Sequence, residues 1–284
     1  MKRIIDLSEH NGEVNFAKIR QEGITSVILR LGWIGNKQNH TIDKRFNEYF
    51  SQAKLYGFNV GVYVFNYCKN LDTLKQGIKW TLDLLQNKVL ELPVFIDIED
   101  DPQSNSYLSK IGRDTLTRMC ILWCKEIEDA GFIGGIYANK NFFENYIYHS
   151  LVLDYKLWWA EYNNGEKPSS HYKVDLWQYT SKGKVNGING NVDISYCMCK
   201  CDDTKEKPIE NVKEEFEMKN YVNGSTKEIV YEDIKCTKQI GYLNPREQCK
   251  CYGIIDNKAL IVYDIDNSKG NKKTGFVKWL GGVK

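Results

Sequence analysis

Asp97 and Glu99 end an apolar run, Leu92-Pro-Val-Phe-Ile-Asp-Ile-Glu99, that reads as a buried strand. Residues two apart on a strand face the same side. Their Cβ atoms are expected about 6.5–7 Å apart, at a rise of about 3.3 Å per residue. Two carboxyl groups facing one cleft can split the work of breaking a glycosidic bond, one as acid and one as its partner. An acidic strand end meeting solvent is the plainer alternative. Two more acids stand at strand ends: Asp6 closes Ile4-Ile5-Asp6, and Asp193 opens Val192-Asp193-Ile194. Gathered together, such groups resist joint ionisation, and one of them keeps a proton near neutral pH.

The first 200 residues alternate strand-like and helix-like segments. Strands are expected at 3–8, 26–31, 59–65, 94–99, 134–138, 157–161, 174–179 and 192–196, and helices near 14–22, 43–56, 71–88, 106–130 and 141–150. Asn105 or Ser106 suits the cap of the fourth helix, and Gly23, Gly57 and Gly131 suit helix C-termini. The gaps 162–173 and 180–191 are short, polar and rich in Gly, Asn, Ser and Lys, too poor for a packed crossover helix. The expected class is α/β: an eight-stranded barrel with about five flanking helices, an irregular relative of the triosephosphate isomerase barrel. Its last strands are free to run antiparallel. In such a barrel strands one and eight are neighbours, and strand four lies across the mouth. Asp193 reaches the mouth with Asp6, Asp97 and Glu99 only if the last strand runs opposite to the first.

Three units are expected: a catalytic domain over 1–203, a charged linker over 204–217, and a small all-β domain over 218–284. In the last, short β-like runs at 228–231, 250–255, 260–264 and 275–279 are separated by turn residues such as Asn223-Gly224. The chain has 284 residues and a net charge of +2, which gives no footprint for nucleic acid and no strong pull to a membrane surface. No apolar h-region follows Met1-Lys-Arg-Ile-Ile-Asp6, so synthesis in a bacterial cytoplasm is expected, with action on the wall after release by a separate step. The nine cysteines include the alternating Cys197, Cys199 and Cys201, and Cys249 and Cys251. One-residue spacers suit a structural zinc site poorly. Free thiols are expected, with a metal site or disulfides as alternatives.

Eight blocks, in order, resemble glycoside hydrolase family 25, the Chalaropsis-type lysozymes used as phage endolysins. They are 6–16, Val27-Ile-Leu-Arg30, Gly61-Val-Tyr-Val-Phe65, 92–99, Gly135-Ile-Tyr137, Leu157-Trp-Trp-Ala-Glu-Tyr162, Leu176-Trp-Gln-Tyr179 and 187–193. The family usually has Val-Asp-Trp where this chain has Val14-Asn15-Phe16, and a histidine where Phe65 or Asn66 stands. The resemblance implies cleavage of the β-1,4 bond between N-acetylmuramic acid and N-acetylglucosamine in bacterial peptidoglycan, without metal or cofactor. It maps Glu99 onto the general acid, Asp97 onto its partner, and Asp6 and Asp193 onto acids of the same groove. It favours retention, with the sugar's own 2-acetamido group as nucleophile.

Tyr63, Tyr137, Trp158, Tyr162 and Trp177 are expected sugar platforms, since aromatic faces stack on pyranose rings. Core packing is the competing role for each. Arg30 and Gln178 are expected to support the acids or the sugar. His10 and His40 read as exposed loop residues. The stretches Tyr221-Val-Asn-Gly, Ile240-Gly-Tyr-Leu243 and 273–280 resemble bacterial SH3-like cell-wall-binding domains. A monomer bound to the wall through this C-terminal domain is expected. A non-catalytic carbohydrate-binding protein and a hydrolase of another glycan, such as chitin, are the rival readings.

Overall fold

The computed structural model describes residues 1–36, 39–163, 165–198, 219–231, 236–255, 258–264 and 272–278. The expected linker, 204–217, lies outside the described residues, as do Cys199 and Cys201.

The strands of the barrel are β1 (Arg3–Leu7), β2 (Ser26–Asn36), β4 (Asn59–Asn66), β5 (Val94–Ile98), β6 (Gly134–Asn139), β7 (Lys156–Ala160), β8 (Leu176–Gly183) and β9 (Val192–Cys197). They run in the order β1-β9-β8-β7-β6-β5-β4-β2, and a β1–β2 pairing closes the ring. A further strand, β3 (Asn39–Ile42), folds back antiparallel on β2 and was not anticipated. Five helices flank the ring among the described residues: α1 (Phe16–Gln21), α2 (Phe46–Leu55), α3 (Leu71–Leu85), α4 (Arg113–Asp129) and α5 (Lys140–Asn145).

Every barrel pairing is parallel except those of β9, which runs antiparallel to both β1 and β8. The reversal sets Asp193 directly opposite Asp6 in register. β8 remains parallel to β7 although the segment between them forms no described helix. The helix expected from 106 begins instead at Arg113. Residues 100–109 are held otherwise: Asp100 accepts from the Ser109 amide at 2.9 Å and from its hydroxyl at 2.6 Å, and Asp101 and Ser106 form a backbone bridge.

Alternation along each strand builds the interior in layers. Ile4, Ile28, Phe95, Trp158 and Leu176 make one buried cluster, which fills the barrel. Two residues further along the same strands stand Asp6, Arg30, Asp97 and Gln178, all at least nine-tenths buried. The intervening Ile5, Leu29, Ile96 and Trp177 join the larger outer cluster with the helices. Gly135 belongs to this packing: a Cβ there would meet the Phe95 ring at 2.5 Å.

The C-terminal module is a six-stranded antiparallel sheet. Its strands are β10 (Lys219–Val222), β11 (Glu228–Tyr231), β12 (Gln239–Leu243), β13 (Gln248–Ile255), β14 (Lys258–Asp264) and β15 (Lys272–Val277), in the order β10-β13-β14-β15-β11-β12. Its own core includes Tyr221, Val230, Leu243, Ile261 and Val277. Leu260 and Phe276 turn the other way and join the buried cluster containing Ala53, Leu55 and Tyr56, so the module packs on α2. Among the described residues Cys68, Cys120 and Cys124 are buried free thiols, and no helix is long and apolar enough to cross a membrane.

Candidate active site

A cavity of about 340 Å³ opens at the C-terminal ends of the parallel strands, lined by Asp6, Asp97, Glu99 and Asp193 together with Arg30, Tyr63, Tyr137, Trp158 and Gln178. A larger cavity of about 430 Å³ lies elsewhere, around Glu13, Glu48 and Val185–Asn189. It holds none of the strand-end acids and none of the expected aromatic platforms, so the smaller one is the candidate site.

Each acid is positioned by a strand. β5 carries Asp97 above Phe95, and Glu99 follows where the strand ends. Burial is the main force on Asp97, and the charges of Glu99 and Asp6 add to it, so its carboxyl sits well above the usual range; Arg30 acts in the opposite direction. Asp97 Oδ1 is buried and has no partner in the protein. Glu99 is pushed up to about 7, by burial first and then by Asp101, Asp193 and Asp100. Asp6 is likewise raised well above its ordinary value, by burial and then by the facing Asp193. Asp193 faces it across the strand pair, and burial raises that carboxyl too, so the two resist joint ionisation.

The neutral partners are fixed as tightly. Gln178 Oε1 accepts from the hydroxyls of Tyr137 and Tyr162, both at 2.9 Å. Its amide nitrogen therefore faces Asp6 and donates to Oδ2 at 3.0 Å. Arg30 Nε donates to Asp43 at 2.7 Å, and a second guanidinium nitrogen stands 3.4 Å from Glu9. This anchored cation is what opposes the rise at Asp97. Trp158 is fully buried under the cavity, donates to the Ser195 hydroxyl at 2.9 Å, and meets Tyr137, Phe95 and Tyr63 edge-on at 4.6–6.1 Å.

One of the expected platforms lies elsewhere. Trp177 is buried on the outer face of β8, where its indole donates to the Glu161 carbonyl at 2.9 Å. The reason is alternation: Trp177 and Gln178 are adjacent on a strand, so only one of them can face inward. Tyr162 follows the end of β7, is 57% exposed, and reaches the site through Gln178. Sequence reasoning missed Glu9 and Asp43, which hold Arg30, and Ser8, Asn11 and Asn191, which line the mouth. His10, expected in a loop, is exposed at the same mouth. His40 lies away from it, against Trp80. Asp100 and Asp101 were legible as a run of acids after Glu99; their effect on it was not.

A family model described as glycosyl hydrolases family 25 matches residues 5–188. The chain belongs to glycosyl hydrolase family 25. The autolytic lysozyme of Clostridium acetobutylicum is 24% identical over 191 residues, which are 67% of this chain and 54% of that protein. This family 25 chain thus spans about half the length of the curated relative it matches. Among solved structures, the modular autolysin LytC of Streptococcus pneumoniae superposes with a TM-score of 0.60 at 28% identity, over 68% of this chain and 46% of that one. The spore cortex lytic enzyme SleM of Clostridium perfringens has a TM-score of 0.59 over 97% of this chain and 96% of its own, at 18% identity, a likeness of fold alone. It extends to the C-terminal sheet of the family 25 chain described here.

Proposed function

We propose that this chain is a lysozyme that hydrolyses the β-1,4 bond between N-acetylmuramic acid and N-acetylglucosamine in peptidoglycan. The observation that carries the reading is one buried mouth in which Glu99 is held near pKa 7 beside Asp97, whose inner oxygen lacks a partner. Glu99 protonates the glycosidic oxygen as the C1–O bond breaks. The acetamido oxygen of the same sugar closes on C1, while its N–H is accepted by Asp97 and so held in line. Water then opens this cyclic intermediate and returns a proton to Glu99. The configuration at C1 is retained. Asp6 and Asp193 keep the mouth acidic and align the sugar, and Tyr63 and Tyr137 offer it aromatic walls. The relative LytC has been seen with a synthetic peptidoglycan ligand, which supports the substrate class.

The test is release of reducing ends from purified peptidoglycan, lost in Glu99→Gln, with mass spectrometry naming the cleaved bond. Equal release by wild type and variant would defeat the reading, and chitin-type products would redirect it. An NMR time course that showed inversion of the first-formed anomer would end the acetamido mechanism.

The C-terminal sheet is read as an SH3-like module that holds the enzyme on the wall, since tethering to an insoluble polymer raises local concentration. A chain ended at residue 203 is then expected to keep its rate on soluble glycan fragments and to lose most of it on intact walls. Unchanged rates on both would refute the tether. The biological setting favoured is a phage endolysin, stored in the host cytoplasm and released to the wall at lysis. Expression without a pore-forming partner should leave host cells intact, and lysis under those conditions would count against this setting.

A further inference from the structure

A third cavity, of about 220 Å³, opens on the outer wall of the barrel and shares no lining residue with the acidic mouth. β7 separates it from the mouth: Trp158 points inward beneath the acids, and Trp159 points outward to line the outer cavity. Phe143 stacks on Trp159 with rings 5.1 Å apart and 1° from parallel. His149 packs among them, 5.4 Å from Phe143, 5.8 Å from Trp159 and 4.0 Å from the ring of Tyr172.

His149 is only 4% exposed, and neither ring nitrogen has a partner. Burial pushes its pKa down to about 4, so the ring is neutral, with one nitrogen that donates and one that accepts. Arg113 lines the same cavity. One of its terminal nitrogens donates to the carbonyls of Glu144 and Ile147 at 3.1 and 2.9 Å, and the guanidinium lies over the Tyr148 ring, while Nε is buried without a partner. Three buried, unpartnered polar atoms thus belong to two residues that line one small cavity, and each costs about 1–3 kcal/mol if left so. Tyr148 and Tyr172 stand at its rim, 42% and 49% exposed.

This set selects a ligand by its chemistry. The Arg113 terminal nitrogen is already engaged, which leaves Nε–H as a single-point donor rather than the fork that grips a carboxylate. A neutral imidazole keeps one acceptor nitrogen, which can take an amide N–H, while Arg113 Nε–H can donate to the amide oxygen. Aromatic walls suit a methyl group and the face of a pyranose. We propose that this cavity is a second saccharide subsite that takes one N-acetylated pyranose, its acetamido N–H donating to His149 and its acetamido oxygen accepting from Arg113 Nε–H. The proposal rests on peptidoglycan as substrate, and places a neighbouring sugar or strand on the outside of the barrel while the mouth holds the strand to be cut.

The test uses the full-length Glu99→Gln protein with isotope-labelled histidine rings. The chain has four histidines, so the resonance missing in His149→Phe identifies itself. N-acetylglucosamine should move the His149 ring signals saturably, and glucose, which lacks the acetamido group, should bind about tenfold weaker, the ratio for about 1.4 kcal/mol. His149→Phe keeps an aromatic ring in the cluster and should abolish the shift that N-acetylglucosamine causes in the ring of His171, which lines the same cavity. Tyr172→Ala, at the exposed rim, should weaken binding. In the active enzyme both substitutions should leave the rate on soluble fragments unchanged. Absence of a response to N-acetylglucosamine, or an equal response to glucose, overturns the proposal. A stronger response to N-acetyl-D-alanine would assign the cavity to a peptide carboxylate and overturn it too. Failure of the lysozyme reading would show separately, as wild-type protein that releases no reducing ends, and it leaves the monosaccharide titration readable.

Discussion

Replacing Asp101 with Asn perturbs the field that keeps Glu99 protonated while leaving the acid itself in place. Glu99 stands at about 7 rather than 4.5, with burial the main cause and Asp101 the first of the charges that add to it. That difference corresponds to about 3 kcal/mol in favour of the protonated form, at about 1.4 kcal/mol per pKa unit. At pH 7 an unperturbed carboxyl would hold its proton in about one molecule in three hundred; one at about 7 holds it in about half. Asp101 is suited to supply a permanent negative charge. Partial burial pushes its own pKa upward, but hydrogen bonds from Ser104, Tyr67 and Gln103 outweigh this and hold the carboxyl below the usual range. The one oxygen of Asn can still accept from the Gln103 and Ser104 amides, and its NH2 can donate to the Tyr67 hydroxyl, now 2.8 Å away, so the loop should keep its shape. In the proposed mechanism the protonated acid is the active form, so activity should be present below its pKa and lost as pH rises through it. With a half-exposed charge screened by solvent, the basic limb of kcat/KM against pH should fall by roughly half a pH unit in Asp101→Asn. The rate at pH 7 should drop about twofold and the rate at pH 5 should not change. The gap should narrow in about 1 M salt, where the Debye length is about 3 Å. A limb that does not move, or a loss equal at every pH, would refute the electrostatic account and make Asp101 a loop fastener only.

Glu99→Gln should raise the melting temperature at pH 7.5 and not at pH 4. The folded pKa is about 7 against 4.5 unfolded, so the stability linked to this group is present below 4.5 and lost as pH rises through about 7. A variant less stable than wild type at pH 7.5 would contradict this. Arg30→Met leaves the buried Asp43 carboxylate without its cation and should cost about 3–5 kcal/mol of unfolding free energy by denaturant titration. It should also depress activity, because the same cation opposes the rise at Asp97. Trp158→Ala should destabilise by about 3–5 kcal/mol, since the indole is fully buried beneath the mouth and bonded to Ser195. A loss under 1 kcal/mol would mean that the floor of the site is not packed as described.

The period-two alternation of the strands was legible without coordinates, and it put Asp97 and Glu99 on one face and Asp6 at the end of its strand. It also held enough to reject Trp177 as a groove residue, because Gln178 beside it must face the other way. Short, polar final gaps anticipated the loss of crossover helices. They did not say which strand would reverse: β8 stayed parallel to β7, and β9 alone turned round. The late start of α4 was hidden because Asp100 and Asp101 bind Ser109 and Ser106, contacts that helix-capping rules do not weigh.

The sequence by itself determined which residues could do chemistry and which neighbours on each strand share a side, because side-chain alternation is a local property of an extended backbone. Tertiary structure alone decided that Asp6 and Asp193, 187 positions apart in the chain, stand opposite each other, and that Arg30 is held by Glu9 and Asp43. It also decided the protonation of Glu99. Burial and the summed field of distant charges set a carboxyl's proton affinity, and both come into being only when the barrel closes.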